Sequence, residues 1–181
     1  MGTRALYLGL VLAVVVQRLL ELRRSRHNVR NALLCGGIEV GRDHYPWMVA
    51  LHSLFLVAAP LEVVFLRRPF VPLLAMMMLA LLLAAAFLRV WVIRTLGERW
   101  TTRIICWPGR PVLRRGPYRF MRHPNYVAVA IEIVALPLVH SAWLTALLFS
   151  ILNLGILWVR VQTEEAALRR HSSYDEYFPV T

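Results

Sequence analysis

Five apolar runs, separated by polar stretches of very unequal length, set the plan of the chain. Residues 5–16 are uninterrupted apolar, and the run continues past Gln17 and Arg18 to Leu22. The other runs are 46–66, 71–93, 127–139 and 142–159. Since about 20 apolar residues cross a bilayer as a helix, the pattern predicts an all-α integral membrane protein with five transmembrane helices, the fourth of them short. A cleaved signal peptide is the rival reading of the first run. No small-x-small cleavage site follows it and four more runs lie downstream, so the segment is expected to stay in the mature protein.

The polar stretches differ in kind. Residues 23–45 carry five arginines with Gly36, Gly37 and Gly41, and read as a loop with room for a short interfacial helix. Arg67, Arg68 and Pro69 make a tight turn. Residues 95–123 form the longest polar stretch, with Trp100, Trp107 and Tyr118 among seven arginines, a mixture suited to lying against lipid headgroups. His140 and Ser141 join the last two runs so closely that these must form an antiparallel hairpin. Beyond 159 the helix continues to Arg170 and becomes charged as it leaves the membrane.

Charge placement orients the whole. With arginines near span ends assigned to the adjoining loop, the first loop holds 5, the third 8 and the tail 3, against three (Arg4, Arg67, Arg68) on the other side. The positive-inside rule then places the N terminus outside and the C terminus in the cytosol, with the first loop, the third loop and the tail on one face. Residues 1–94 become three helices of a substrate-access half, and residues 95–181 a core of hairpin, preceding loop and tail.

Composition sharpens this in one respect. The chain of 181 residues is 59% hydrophobic, and all 21 basic residues are arginine, giving a formal charge of +11. A nucleic-acid partner is excluded because the arginines follow the membrane faces and no soluble domain carries them; anionic lipid headgroups are the expected electrostatic partner. Cys35 and Cys106 have neither CxxC spacing nor a nearby histidine cluster, so neither a disulfide framework nor a metal site is expected. The run Met76 to Met78 reads as adaptable packing. His52 and Glu62 lie within the second span, where ionisable groups are costly unless paired or lining a cavity. For His52 an interhelical hydrogen bond and a functional role are both open, and Glu62 is placed to reach water. Arg89 and Arg94 are expected to snorkel from the third span.

Chemistry-bearing residues concentrate in two places on the cytosolic face. One is the stretch 113–126, Leu-Arg-Arg-Gly-Pro-Tyr-Arg-Phe-Met-Arg-His-Pro-Asn-Tyr. Pro124 biases His123 toward extended backbone and can open the following helix, and Gly116-Pro117 marks a turn. The other is the helix continuing the fifth run, where Arg160 and Glu164 share a face at i, i+4 and Glu165 points elsewhere. An intrahelical salt bridge would account for the pair. A ligand carrying both charges would account for more: its carboxylate could meet His123, the amides opening the fourth helix and an arginine, and its cationic centre could meet Glu164 and the ring of Tyr118 or Tyr126. S-adenosylmethionine has this charge pattern, and a phospholipid headgroup or a nucleotide suits it equally.

The run Gly116-Pro117-Tyr118 with Arg122-His123-Pro124-Asn125-Tyr126, a helical hairpin, then Arg160, Glu164-Glu165, Leu168, Tyr174 and Tyr177, resembles the isoprenylcysteine carboxyl methyltransferase family over roughly the last 80 residues. That family, which is related to phospholipid methyltransferases, comprises membrane enzymes that use S-adenosylmethionine without a Rossmann domain, in keeping with the lack of a GxGxxG run here. The resemblance implies cofactor contacts from Arg110, Pro111, Val112 and Leu113, from Tyr118, from His123, Pro124, Asn125 and Tyr126, and from Glu164. It turns Arg160 toward the substrate. Two departures stand out: Ala128 replaces the glycine usual two residues after the motif tyrosine, and His171-Ser172 replaces the usual Phe-Gly.

The N-terminal half, with Glu39-Val40-Gly41-Arg42, His44-Tyr45-Pro46 and His52, looks like a bacterial branch of the family, similar to enzymes that O-methylate lipidic resorcinols or pyrones. The resemblance therefore implies methyl transfer to an apolar or amphiphilic small molecule, or to a carboxylate, at the cytosolic side of the bacterial inner membrane. Arg160 would lower the acceptor pKa; His44, which would also face the substrate, His52 or Glu165 would act as base. Phospholipid N-methylation and a non-enzymatic lipid-binding scaffold are the rival readings, the latter predicting tolerance of Glu164→Gln.

Overall fold

The computed structural model describes residues 2–108 and 111–171. Arg110, Ser172, Tyr174 and Tyr177, singled out from the sequence, lie outside them. Five helices make the body: α1 (Gly2–Leu34), α2 (Tyr45–Phe65), α3 (Pro72–Leu96), α4 (Pro124–Leu138) and α5 (Trp143–His171). Two three-residue strands, β1 (Ile38–Val40) and β2 (Ile104–Cys106), pair antiparallel, and short 3-10 turns cover Gly97–Arg99 and Gly116–Arg119.

Local sequence explains where three helices begin. Pro46, Pro72 and Pro124 each stand in the first turn of α2, α3 and α4, where the missing N–H has no intrahelical partner to lose. At the other end of α3, Gly97 takes φ 57°, a left-handed conformation that terminates the helix with little steric cost. Four helices, α1, α2, α3 and α5, are long and apolar enough to cross a membrane. The fourth has 15 residues and rises about 22 Å, short of a full hydrocarbon core.

The core lies where the helices converge near the α4–α5 hairpin. Leu51, Phe55, Val63, Met78, Leu82, Ile133, Leu136 and Phe149 form it, with Tyr7 and Val11 of α1 against them. The rings of Phe55 and Phe149 meet edge to face at 5.6 Å. On the outer faces Leu54, Leu83, Phe87, Leu147 and Trp158 remain largely exposed, an apolar girdle of the kind lipid covers.

Two expectations need correction. The polar stretch 23–45 is not loop throughout, because α1 runs on to Leu34. Its last three turns bury Ser25, Asn28 and Ala32, a stripe at helical spacing that hydropathy cannot show because two of its members are polar. Asn28 donates to the carbonyl of Trp100 at 2.7 Å and to that of Gly97 at 3.2 Å, and Ser25 accepts from the Thr102 amide at 2.9 Å. The stripe thus satisfies backbone groups of the loop after α3. The body is helical as expected, and one short strand pair outside the helices ties residues 38–40 to 104–106 and holds the same loop down.

Glu62 does not reach water. It is buried and receives the amides of Leu144 (3.1 Å) and Thr145 (2.6 Å) at the start of α5, together with Arg68 Nε (2.8 Å). A carboxylate at a helix N terminus satisfies orphan donors and complements the helix dipole. Glu62→Ala should therefore lower stability by about 2–4 kcal/mol, since three donors, one of them charged, lose a buried acceptor. Thermal unfolding of the detergent-purified variant measures this.

Candidate active site

A cavity of about 550 Å³ lies between α1, α2, α4 and α5, roofed by the loop that follows α3. That volume is ordinary for a small-molecule site. Its two ends differ from its middle. One end, where α4 begins, is aromatic and polar; the other, deeper among the helices, is charged. Between them Leu19, Met48, Val49, Leu56, Val129 and Ile156 make an apolar wall. Leu19 and Val57 line the cavity yet stay largely exposed, so it opens between α1 and α2 on an apolar flank.

The turn at Gly116–Arg119 builds the polar end. Gly116 has φ 58°, and a Cβ there would meet the Thr95 hydroxyl at 2.3 Å, so only glycine lets the loop pack on the end of α3. This seats the Tyr118 ring in the wall. Burial, with the Glu164 carboxylate nearby, holds its phenol well above its usual pKa, so it stays neutral and works as a donor rather than a base. Five residues after Tyr118, His123 precedes the first turn of α4 and Tyr126 falls one turn into it. Their rings stack at 5.4 Å with 13° between planes.

Helix α5 supplies the charges. Tyr126 donates to Glu164 at 2.5 Å. His123 Nε2 lies 3.1 Å from Glu165, and its Nδ1 lies 3.8 Å from Glu164. Arg160 is buried; it donates to the Thr102 carbonyl at 2.9 Å and stands 5.6 Å over the Tyr126 ring. Three buried polar atoms of cavity-lining residues have no hydrogen-bond partner among the described residues, Trp100 Nε1, Asn125 Oδ1 and Arg160 Nε. A buried unpaired donor and acceptor in one cavity wall are the atoms a polar ligand would satisfy.

Most of the residues selected from sequence converge here. Pro111, Val112 and Leu113 line the cavity, as do Tyr118, His123, Asn125, Tyr126, Arg160 and Glu164. Pro124 is buried as the first residue of α4 and shapes the wall without forming it. Ala128, in the place of the family glycine, is fully buried off the wall, so its methyl does not narrow the cavity. The intrahelical salt bridge that is one of the two readings of Arg160 and Glu164 does not form; Arg160 bonds the Thr102 carbonyl and Glu164 the Tyr126 hydroxyl. His123, expected to meet a ligand carboxylate, sits instead between two carboxylates.

The three base candidates are placed differently. Glu165 stands behind His123 and near Arg122 and Arg169, each at 3.8 Å, off the cavity wall. His44 also lies off the wall, held by Gly41, where a Cβ would strike its ring at 2.2 Å. Burial first, and the Arg160 charge second, push the His44 pKa down. His52 does line the cavity, and its Nδ1 lies 2.8 Å from the Met48 carbonyl. A carbonyl only accepts, so Nδ1 carries the proton and Nε2 is left as an acceptor.

Sequence reasoning missed the deep end. Arg89, expected to snorkel, turns inward and grips Glu132 with Nη2 (2.5 Å) and Nε (3.2 Å). Arg18 reaches the same carboxylate at 2.7 Å and also bonds Glu21, which accepts from Gln17 at 3.1 Å. The available signal was two arginines and two glutamates on three different apolar runs, which cost too much at membrane depth unless they pair. Cys106 also lines the cavity, and burial pushes its thiol up to about 11, so it stays protonated and unreactive.

Residues 77–170, from α3 to nearly the end of α5, match the model of the isoprenylcysteine carboxyl methyltransferase (ICMT) family. Over 164 residues, 90% of this chain and 96% of the relative, the sequence is 36% identical to the uncharacterized protein YpbQ of Bacillus subtilis. An uncharacterized protein of Haemophilus influenzae is 29% identical over 165 residues, covering 90% of this chain and 95% of that one. No solved structure matches the chain.

Proposed function

The chain belongs to the isoprenylcysteine carboxyl methyltransferase family, whose members are membrane methyltransferases that use S-adenosylmethionine, and from that premise we propose that it methylates an amphiphilic small molecule drawn from the bilayer. The observation that carries this reading is a cavity in which an aromatic, carboxylate-bearing end adjoins an apolar wall open between α1 and α2. A polar cofactor and a lipid-like acceptor each find a matching surface there.

The residues at the polar end fit such a cofactor. Glu164 and the unpartnered Asn125 Oδ1 are acceptors suited to an ammonium group. The Tyr118 and Tyr126 rings suit a sulfonium through their faces, and Pro111, Val112 and Leu113 offer an apolar edge for a base. When bound, S-adenosylmethionine supplies an electrophilic methyl group. The protein's own part is positioning and electrostatics. Arg160, buried with an unpartnered Nε, stabilises negative charge developing on the acceptor oxygen. The His52 Nε2 is an acceptor on the wall, able to take that oxygen's proton.

The arginine-rich end, which holds the cofactor side of the cavity, is the cytosolic one in this reading, and the membrane is the bacterial inner membrane. Incubating the purified protein with methyl-labelled S-adenosylmethionine and an extracted bacterial lipid pool should move label into the organic phase. Label confined to water, with no S-adenosylmethionine bound by the folded protein, would overturn the reading and leave a lipid-binding scaffold.

A further inference from the structure

We propose that the segment 39–45, which lies off the cavity wall, positions the Arg160 guanidinium through the carbonyl of Thr102, with Tyr45 and Glu39 as the positioning residues. The proposal rests on the methyltransferase reading, in which Arg160 faces the acceptor oxygen, and names what holds it there.

Arg160 stands over the Tyr126 ring and donates from Nη2 to the Thr102 carbonyl at 2.9 Å, while its buried Nε has no hydrogen-bond partner among the described residues. A ring face lets a guanidinium slide; the bond to the carbonyl is directional and does not. A loop carbonyl is only as fixed as its peptide plane, and this plane is pinned on both flanks. On one flank the Thr102 amide donates to Ser25 Oγ at 2.9 Å, and the Thr102 hydroxyl lies 2.9 Å from Ser25 Oγ and 3.1 Å from the Tyr45 hydroxyl. On the other, the Arg103 guanidinium lies 4.7 Å over the Tyr45 ring and donates from Nη1 to Glu39 at 2.7 Å. Ile104 then pairs with Val40. Tyr45 thus touches both residues that share the peptide.

The same segment packs on α5. Gly41 has φ 66°, and a Cβ there would come within 3.0 Å of the Thr163 side chain, three residues beyond Arg160. The Glu39 side chain is only 4% exposed and also accepts from Arg42 at 3.1 Å. A carboxylate buried between two arginines fixes geometry even where it adds little stability. Thr102 and Arg160 line the cavity, whereas Ser25, Glu39 and Tyr45 do not, so the latter three reach the acceptor only through the former two. Stabilising a developing charge requires a cation already in place, and a misplacement of about 1 Å costs up to about 10²-fold in rate.

The test follows Arg160 in two ways, on full-length protein in lipid nanodiscs. Tyr45→Phe and Thr102→Val each remove one hydroxyl and keep the bulk of the side chain; Thr102→Ser keeps the hydroxyl and serves as the rescue. The nuclear magnetic resonance signal of the Arg160 Nε–H, assigned by its absence from Arg160→Gln, should shift in Tyr45→Phe and Thr102→Val and stay in place in Thr102→Ser. With labelled S-adenosylmethionine at saturation and an extracted bacterial lipid pool, the first two variants should lose about tenfold in turnover while cofactor affinity stays within about twofold. Arg160→Gln no longer reaches the Thr102 carbonyl, so in its background Tyr45→Phe should cost less than about twofold more. An Arg160 signal unmoved by Tyr45→Phe overturns the proposal, whatever the protein catalyses, and decides it alone if Thr102→Val does not fold. A turnover loss as large with Arg160→Gln in place as without it also overturns it, since the hydroxyls would then act on something else. A wild-type protein that binds no S-adenosylmethionine would instead bring down the methyltransferase reading, and the Arg160 signal would still show whether this segment holds the guanidinium.

Discussion

Replacing Glu164 by glutamine is expected to weaken S-adenosylmethionine binding by about 10- to 100-fold, the cost of turning one charge-assisted hydrogen bond into a neutral one. Glutamine keeps an oxygen that accepts from the Tyr126 hydroxyl, now 2.5 Å away, so the wall should hold its shape while its charge is lost. Titration calorimetry on the detergent-purified protein reads the effect directly. His123→Ala should go further and abolish binding, for a different reason. His123 stacks on Tyr126 and stands between Glu164 and Glu165, so its removal strips the ring's support and brings two carboxylates into view of each other. Unchanged affinity in both variants would remove the cofactor from this end of the cavity.

Arg160→Gln should do the opposite, sparing cofactor affinity to within about threefold while lowering kcat by about 10²–10³, the range typical of losing one electrostatic stabiliser of developing charge. Glutamine is too short to reach the Thr102 carbonyl as the Nη2 of Arg160 does, but the loop after α3 keeps its anchors at Ser25 and Asn28, so the cation is the main loss. The diagnostic is the split between binding and turnover. If Arg160→Gln lost cofactor affinity and turnover in equal measure, the guanidinium would belong to the cofactor and not to the acceptor.

Much of this was legible along the chain. Apolar runs long enough to cross a bilayer place α1, α2, α3 and α5, because in lipid each helix must satisfy its own backbone and advertise an apolar surface. Prolines at 46, 72 and 124 mark helix starts through backbone sterics alone, which act over one turn. The polar end was legible too, since its residues are crowded into 111–126 and 160–164, two segments joined by one tight hairpin. What short spacing brings together, sequence can show.

The tertiary structure decided everything that depends on which distant groups meet. Hydropathy saw polar residues at Ser25 and Asn28 and ended the helix, whereas the loop carbonyls of Gly97 and Trp100 turn that stripe into a buried face. Arg160 and Glu164 have the spacing of a salt bridge, yet Thr102 and Tyr126, remote in the chain, take them apart. Glu62 became a cap for α5, 82 residues away from Leu144 in sequence, and Arg18, Glu21, Arg89 and Glu132 became one network of two cations and two anions. A buried charge is tolerable only beside its partner, and which partner lies within 3 Å is a property of helix packing that no single helix encodes.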